Sequence, residues 1–434
     1  MEFNPTRWNL LLQSGTYFFK SPFGYGQGIQ SVTVPDEDLI AVLTANPMKH
    51  ERRGAEAVED ALDHPIGAPA LSGIAKKGMK AVIVTSDISR PMPSREVLPS
   101  VIGRLNEAGI PDADITVVFA LGSHRKHTEE EKKHLAGDDV FARIRCEDSS
   151  DSGFVHLGVT KKGTPVDICR TAAEADLRIC LGNIEFHYFA GYSGGYKAIM
   201  PGCSTYDAIQ VNHTMMTEND AHAGKLEGNP VREDIEEAGR ICGVDYIVNC
   251  VLDEHKKIVY AVAGDVIQAH RKGCEYLDRM YRCKIPERAD IVIVSQGGAP
   301  KDANLYQVQK ALDNAKHAVK PGGTIILAGE CKEGFGSQIF EEWLLQAASP
   351  KDLTERIRRE FRLGGHKAAA IGMVEEMADI YLVSEMSDDT VKSIFMTPFE
   401  SMESAYREAL KKHNGHAKVI AMPFGGATLP VVTE

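Results

Sequence analysis

No two cysteines in this 434-residue chain are spaced C-x-x-C, and no H-E-x-x-H occurs. The nine cysteines are scattered from Cys146 to Cys331. An odd number without metal-ligand spacing argues against structural zinc and against a disulfide framework, and for reduced thiols in a cytoplasmic protein. Long apolar runs are missing too, so no stretch reads as a bilayer span. The opening stretch, Met1 to Gly15, has no basic flank ahead of an apolar core and no small-residue cleavage site, and does not read as a signal peptide. Positive charge is not in excess: 49 Lys and Arg against 61 Asp and Glu leave a net charge of -12. That balance disfavours nucleic acid and an anionic membrane as partners, while allowing a local basic pocket for an anionic metabolite. Two nucleotide motifs fail in detail. The Gly24, Gly26, Gly28 segment lacks the third glycine of a dinucleotide fingerprint. At Gly191-Tyr-Ser-Gly-Gly-Tyr-Lys197-Ala, Tyr196 and Ala198 replace the Gly and the Mg-binding hydroxyl of a P-loop, so nucleotide hydrolysis is disfavoured.

What is present is an α/β pattern. Hydrophobic residues make up 43% of the chain and charged residues 25%, the balance of a soluble globular protein, and the length calls for two or three cores. Buried-type strands are expected from Lys80 to Thr85, Ile115 to Leu121 and Ala175 to Gly182, with helices such as Arg95 to Ala108 between them. In an open parallel sheet, ligands bind beyond the C-terminal strand ends. Those three ends deliver Asp87-Ile88-Ser89-Arg90, Gly122-Ser-His124-Arg125, and the stretch from Asn183 to His213. The last holds Glu185, His187, a glycine-rich loop, Lys197 and His213. Glycines allow backbone to approach a ligand, a lysine can bind phosphate or act as a nucleophile, and histidine is the usual acid, base or metal ligand near neutral pH. Each residue alone has a plain reading. Lys197 could be a surface lysine, Asp87 and Arg90 a local ion pair, His124 part of a solvated basic turn, and Trp343 core. A second α/β pattern begins after Arg282–Arg288, which reads as a hinge, with a helix from Leu305 carrying Tyr306, Gln307 and Lys310. We therefore expect two α/β domains with largely parallel sheets and an active-site cleft between them. The first would span residues 1–282 and regain the last strand, 415–434; the second would span 288–412.

Taken in order, Asp87-Ile-Ser-Arg90, Gly122-Ser-His124-Arg125, His187 within F-H-Y-F-A-G-Y-S-G-G-Y-Lys197, Asn212-His213 and Tyr306-Gln307-x-x-Lys310 resemble the motif set of the nickel-dependent lactate racemases and their 2-hydroxyacid racemase relatives. The resemblance covers nearly the whole chain. It implies a racemase or epimerase that inverts C2 of a 2-hydroxy acid by proton-coupled hydride transfer to a nickel-pincer nucleotide, Ni(II) pyridinium-3,5-bisthiocarboxylic acid mononucleotide. By position, it implies a covalent link to the cofactor at Lys197 and nickel ligation by His213. It further implies cofactor contacts from Asp87, Ile88, Ser89 and Arg90, acid–base roles for His124 and His187, and substrate contacts from Arg90, Gln307 and Lys310. Partners would be a small 2-hydroxy acid and the proteins that make the cofactor.

The chemistry suits these residue types. The C2 hydrogen of a 2-hydroxy acid is poorly acidic because the neighbouring carboxylate is already anionic. Removing the hydroxyl proton while C2 gives up hydride avoids a dianion and leaves a planar 2-keto acid. Two bases must then serve the hydroxyl in its two orientations, and domain closure would retain the intermediate. One departure bears on substrate. Where some lactate-specific members of that family carry a tryptophan, this chain has Gly364-Gly365-His366-Lys367. That implies a 2-hydroxy acid with a polar or second acidic tail. Two other readings use the same residues: a nickel-independent phosphate-handling or lysine Schiff-base enzyme built on Lys197, and a metabolite-binding or nickel-carrier protein.

Overall fold

The structure is a computed structural model, and it describes residues 9–13, 16–413 and 415–433. Of the opening stretch read for a leader, residues 1–8 and 14–15 lie outside the described residues. No described helix is long and apolar enough to cross a membrane. The chain divides into two compact units, residues 48–279 and residues up to 47 joined with 280–434.

The 48–279 unit is built on a six-stranded sheet. Its spatial order is Ile258–Gly264, Tyr246–Leu252, Leu177–Ile184, Ala81–Ser86, Ile115–Ala120, Arg145–Asp148. All neighbours are parallel except the first two, which pair antiparallel. The central strands are continuously apolar rather than alternating, because helices cover the sheet and both faces must be dry. Val58 and Leu62 of helix Gly54–Asp63 pack on one core with Val97, Leu98, Val101, Ile102 and Leu105 of helix Ser94–Glu107. That core includes Ile83, Val117 and Ile179 from three adjacent strands. Each such side chain, fully buried, contributes about 1.5–3 kcal/mol. A separate antiparallel hairpin, Phe154–Val159 with Pro165–Cys169, leads into the third of the expected strands.

The other unit also carries a six-stranded sheet, all parallel, in the order Thr397–Phe399, Asp379–Val383, Val319–Ala328, Ala289–Ser295, Val419–Met422, Leu39–Val42. The expected boundaries are corrected here. The last strand does not rejoin the 48–279 sheet: Val419–Met422 lies between Ala289–Ser295 and Leu39–Val42. A polar exit after an apolar strand is common to both sheets, so it could not say which sheet the strand joins. Residues 1–47 likewise fall outside the 48–279 unit. The segment read as a hinge contains a short strand, Arg282–Ile285, paired in parallel with Leu429–Val432.

The early glycines make a hairpin, Thr16–Tyr25 with Gly28–Pro35, whose tip seats at the C-terminal end of Ala289–Ser295. Ser295 Oγ donates to the Gly24 carbonyl, and Gly26 N–H donates to Asp302 Oδ2 at 2.8 Å. A Cβ on Gly24 would stand 2.5 Å from the Gly297 carbonyl carbon, so only glycine allows this approach.

In the same unit, both carboxyl oxygens of Glu375, at the end of helix Gly365–Glu375, are buried with no hydrogen-bond partner among the described residues. Burial raises its pKa from 4.5 to about 8. Its contribution to stability is fully present below the unfolded value and is lost as pH rises through the folded one. Urea unfolding should show Glu375→Gln gaining stability relative to the parent as pH climbs from about 5 to about 9. A pH-independent difference would contradict this.

Candidate active site

The C-terminal edge of the 48–279 sheet carries the candidate residues. Ala81–Ser86 runs directly into Asp87, and Ile115–Ala120 into Leu121–Arg125. Asp87 is nearly fully buried and holds His124: its Oδ2 accepts from His124 Nδ1 at 2.7 Å. Ser89 Oγ donates to the same carboxylate at 2.8 Å, and Arg90 Nε stands 3.8 Å from Oδ1 with its side chain half exposed. Burial alone would raise the Asp87 pKa. The hydrogen bond and charge of His124, the charge of Arg90 and the Ser89 hydroxyl outweigh it, and the net direction is down. Because Nδ1 of His124 faces a carboxylate, the neutral ring carries its proton there and its lone pair on Nε2. Sequence reasoning gave Asp87 a cofactor contact; the structure makes it the residue that orients His124.

The basic turn after His124 separates into two parts. Arg125 and Lys126 are exposed and paired with Glu131 and Asp151. His127 turns inward: its Nδ1 bonds Asp148 Oδ1 at 2.6 Å and its Nε2 accepts the Ile88 N–H at 3.0 Å. This dyad clamps the Asp87–Arg90 loop. Nothing in the spacing of His127 and Asp148 announces it, since the pair forms only when Arg145–Asp148 adds to the sheet edge.

The third strand end is longer and less regular. After Leu177–Ile184, His187 pairs with Gly191 in a two-residue ladder, a short 3-10 turn at Gly195–Ala198 carries Lys197, and helix Tyr206–Thr214 carries His213. Thr205 caps that helix. Phe189 is the hub. Its ring centroid lies 4.5 Å from that of His187 and 4.9 Å from that of His213, with Lys197 Nζ 5.9 Å away. His187 Nδ1 accepts the Ala190 N–H at 3.2 Å, so the neutral ring carries its proton on Nε2. Its tautomer is therefore opposite to that of His124. Burial, together with the charges of Lys197, Arg90, His213 and Arg232, holds His187 well below the usual imidazole value. Burial, with Arg232 and Arg90, likewise pushes Lys197 well below the usual amine value, which favours a neutral, nucleophilic amine.

Beneath this loop lies support that the sequence did not reveal. Arg232 is almost completely buried; its Nε donates to the Ala190 carbonyl at 3.1 Å and its Nη2 to the Tyr192 carbonyl. Burial lowers its pKa to about 10. Asn229 Nδ2 donates to the Phe189 carbonyl at 2.9 Å, and Asn249 Oδ1 accepts the Gly195 N–H at 2.7 Å. Asn249 sits inside a fully buried strand, and a lone polar residue in such a run was the available signal.

In the other unit, Gln307 lies half-buried in the first turn of helix Leu305–Ala315, and Lys310 is exposed one turn on. Lys367 sits against the preceding residue: its Nζ lies 4.0 Å from the Tyr306 ring centroid and donates to the Tyr306 carbonyl. His366 stacks on Phe361 at 5.5 Å. Trp343 is core, as expected, fully buried and packed against Gly365.

Comparison with known proteins agrees along the chain. The family described as lactate racemase N-terminal domain matches residues 25–224, and the lactate racemase C-terminal domain matches residues 285–429. A lactate racemase of Thermoanaerobacterium thermosaccharolyticum is 33% identical over 413 residues, 92% of this chain and 96% of that protein. One from Lactiplantibacillus plantarum is 32% identical over 413 residues, covering 92% and 97%. The solved lactate racemase apoprotein from T. thermosaccharolyticum superposes with a TM-score of 0.86 at 32% identity, covering 96% of this chain and all of that one. A Thermotoga maritima protein shares the fold alone, with a TM-score of 0.61 at 17% identity over 87% of this chain.

Several glycines of the site loop have no room for a side chain, Gly191 least of all. Gly191 has φ +77°, and a Cβ there would stand 1.9 Å from the Lys225 carbonyl oxygen. Gly191→Ala should lose about 1–2 kcal/mol for the left-handed backbone and about 1–3 kcal/mol for the clash. Urea denaturation checks this; a loss under about 0.5 kcal/mol would show that the loop relaxes freely.

Proposed function

The chain belongs to the lactate racemase family and is an isomerase of the racemase type; from that premise we propose that it inverts C2 of a 2-hydroxy acid with a nickel-pincer nucleotide as hydride acceptor. The observation that carries this reading is the pair of imidazoles in opposite tautomers, His124 with its lone pair on Nε2 and His187 with its proton there. His124 is set to take the hydroxyl proton. His187, whose Nδ1 lone pair is tied to a backbone N–H, offers Nε2–H as a hydrogen-bond donor to the substrate oxygen in its other orientation.

The residues fit the cofactor. Among the described residues no group of three His, Cys, Asp or Glu side chains could hold a metal by itself. A metal at His213 must therefore arrive with other donors, as the pincer supplies them. Lys197 and His213 flank the same Phe189 ring, and Lys197 is held toward its neutral form. Lys197 would carry the covalent link, His213 would ligate nickel, and Asp87 to Arg90 would line the group. When bound, the cofactor supplies a reversible hydride acceptor.

The chain's own residues do the rest. His124 removes the hydroxyl proton at Nε2, while Asp87 holds the ring and stabilises the imidazolium that forms. His187 serves the hydroxyl in the opposite orientation. Arg90 anchors the substrate carboxylate, and charge-assisted pairing holds it while the centre flips.

The curated relatives are named for lactate, and lactate is the first acid to test. Lys367, packed on Tyr306 beside Gln307, supports a substrate with a polar or second acidic tail. With protein co-produced with the cofactor-making enzymes, chiral chromatography of a panel of single-enantiomer 2-hydroxy acids should favour such acids. A clear preference for lactate would overturn the tail.

Replacing His124 or His187 with Ala should slow racemisation about 10²–10⁴-fold while a Lys197 adduct remains visible by intact mass. Deuterium at C2 should stay with the product. Free washout of that label into solvent, or activity in metal-free protein, would sink the hydride mechanism.

A further inference from the structure

His213 is not held by helix packing alone. Its Nδ1 lies 2.9 Å from Asn212 Oδ1. Asn212 is fully buried, and its amide nitrogen has both hydrogens committed: Nδ2 donates to Asp234 Oδ2 at 2.8 Å and to the Val231 carbonyl at 3.3 Å. The orientation of this amide is therefore not arbitrary. Turned over, its oxygen would face a carboxylate oxygen and a carbonyl oxygen, two repulsive contacts in a dry interior. With Nδ2 so engaged, only Oδ1 can meet the imidazole. An oxygen that can only accept requires a donor, so His213 carries its proton on Nδ1 and its lone pair on Nε2.

Asp234 is in turn built to accept. It lies on helix Pro230–Cys242 with 1% exposure. Thr160 Oγ1 accepts the Thr164 N–H at 3.1 Å, so its own hydrogen points at Asp234 Oδ1. Thr164 Oγ1 donates to Oδ2 at 2.7 Å. Three donors converge on one carboxylate, from the turn after Phe154–Val159 and from helix Tyr206–Thr214. A hub that only tied these elements together would not need an amide relay pointing at an imidazole.

We propose that Asp234 is a positioning residue for His213: through Asn212 it fixes the ring's proton on Nδ1 and presents Nε2 as the metal-binding nitrogen. Outer partners of this kind set both the tautomer and the ring orientation of a ligand, and losing one typically costs about 10–100-fold in metal affinity. The proposal rests on the reading of His213 as the nickel ligand, and its test separates the two.

Long-range ¹H–¹⁵N NMR on histidine-labelled protein without cofactor, assigned by His213→Ala, reads the tautomer directly. The parent should show a protonated Nδ1 and an unprotonated Nε2 on His213. Asp234→Ala removes the carboxylate that Asn212 Nδ2 donates to, leaving only the longer bond to the Val231 carbonyl to hold the amide. The His213 ring should then lose its single Nδ1-protonated form and show a share of the Nε2-protonated tautomer in a protein that remains folded. In protein made with the cofactor pathway, the same variant should retain about 10–100-fold less nickel after dialysis. The proposal fails if the parent ring has its proton on Nε2, or if folded Asp234→Ala keeps it on Nδ1 alone. Should Asp234→Ala not fold, Asn212→Leu, which removes the amide oxygen facing His213, decides in its place: an unchanged Nδ1 proton there overturns the relay. If His213→Ala retains nickel as well as the parent does, the ligand assignment falls, whereas the tautomer result still judges the relay.

Discussion

Parallel pairing is the constraint on which the site depends. In the 48–279 sheet, Ala81 pairs with Ile115 and Leu177 with Ala81, so three strands end on one edge within a few residues of each other. Backbone hydrogen bonds fix that register, and continuous apolar side chains keep it dry on both faces. Asp87, His124 and His187 are spread over a hundred residues of chain, yet all three follow strands that end on this one edge. A one-residue slip of the Ile115–Ala120 strand would carry His124 away from Asp87 and undo the 2.7 Å bond that sets its tautomer.

The same edge creates a second problem, which the buried polar residues answer. From Glu185 to Ser204 the chain makes little regular structure beyond a two-residue ladder, so most of its peptide groups find no ladder partners. Each buried N–H or carbonyl needs one. Arg232, Asn229 and Asn249 supply them from helix Pro230–Cys242, its cap and strand Tyr246–Leu252. Burial is the main force that keeps His187 and Lys197 from taking protons, and the guanidinium these bonds bring in adds to it.

Much of this was legible in the sequence, for physical reasons that also explain the rest. Fully buried strands such as Ala81–Ser86 and Tyr246–Leu252 write themselves as apolar runs, and their polar exits mark a ligand edge. The order of the motifs was enough to name a family. What escaped reading was long-range pairing. Nothing local shows that Val419–Met422 joins Leu39–Val42 rather than the first sheet, because both sheets are parallel and apolar. His127 looked like part of a charged turn, although its neighbours Arg125 and Lys126 alone face solvent. Asp87 was read for its neighbour in sequence, Arg90, while its closest partner proved to be His124 from the next strand. Gly364–Lys367 was read only for its bearing on substrate, and it opens helix Gly365–Glu375, where Gly365 is small enough to admit Trp343.

The interleaved order of the units has a consequence for biosynthesis. Residues 48–279 are contiguous, so this half can collapse while the ribosome is still adding the remainder. Leu39–Val42 emerges earlier but finds its neighbour only when Val419–Met422 has left the exit tunnel. An edge strand made this early must therefore wait nearly the full translation time for its partner, and through that interval it stays open to chaperones and to mispairing.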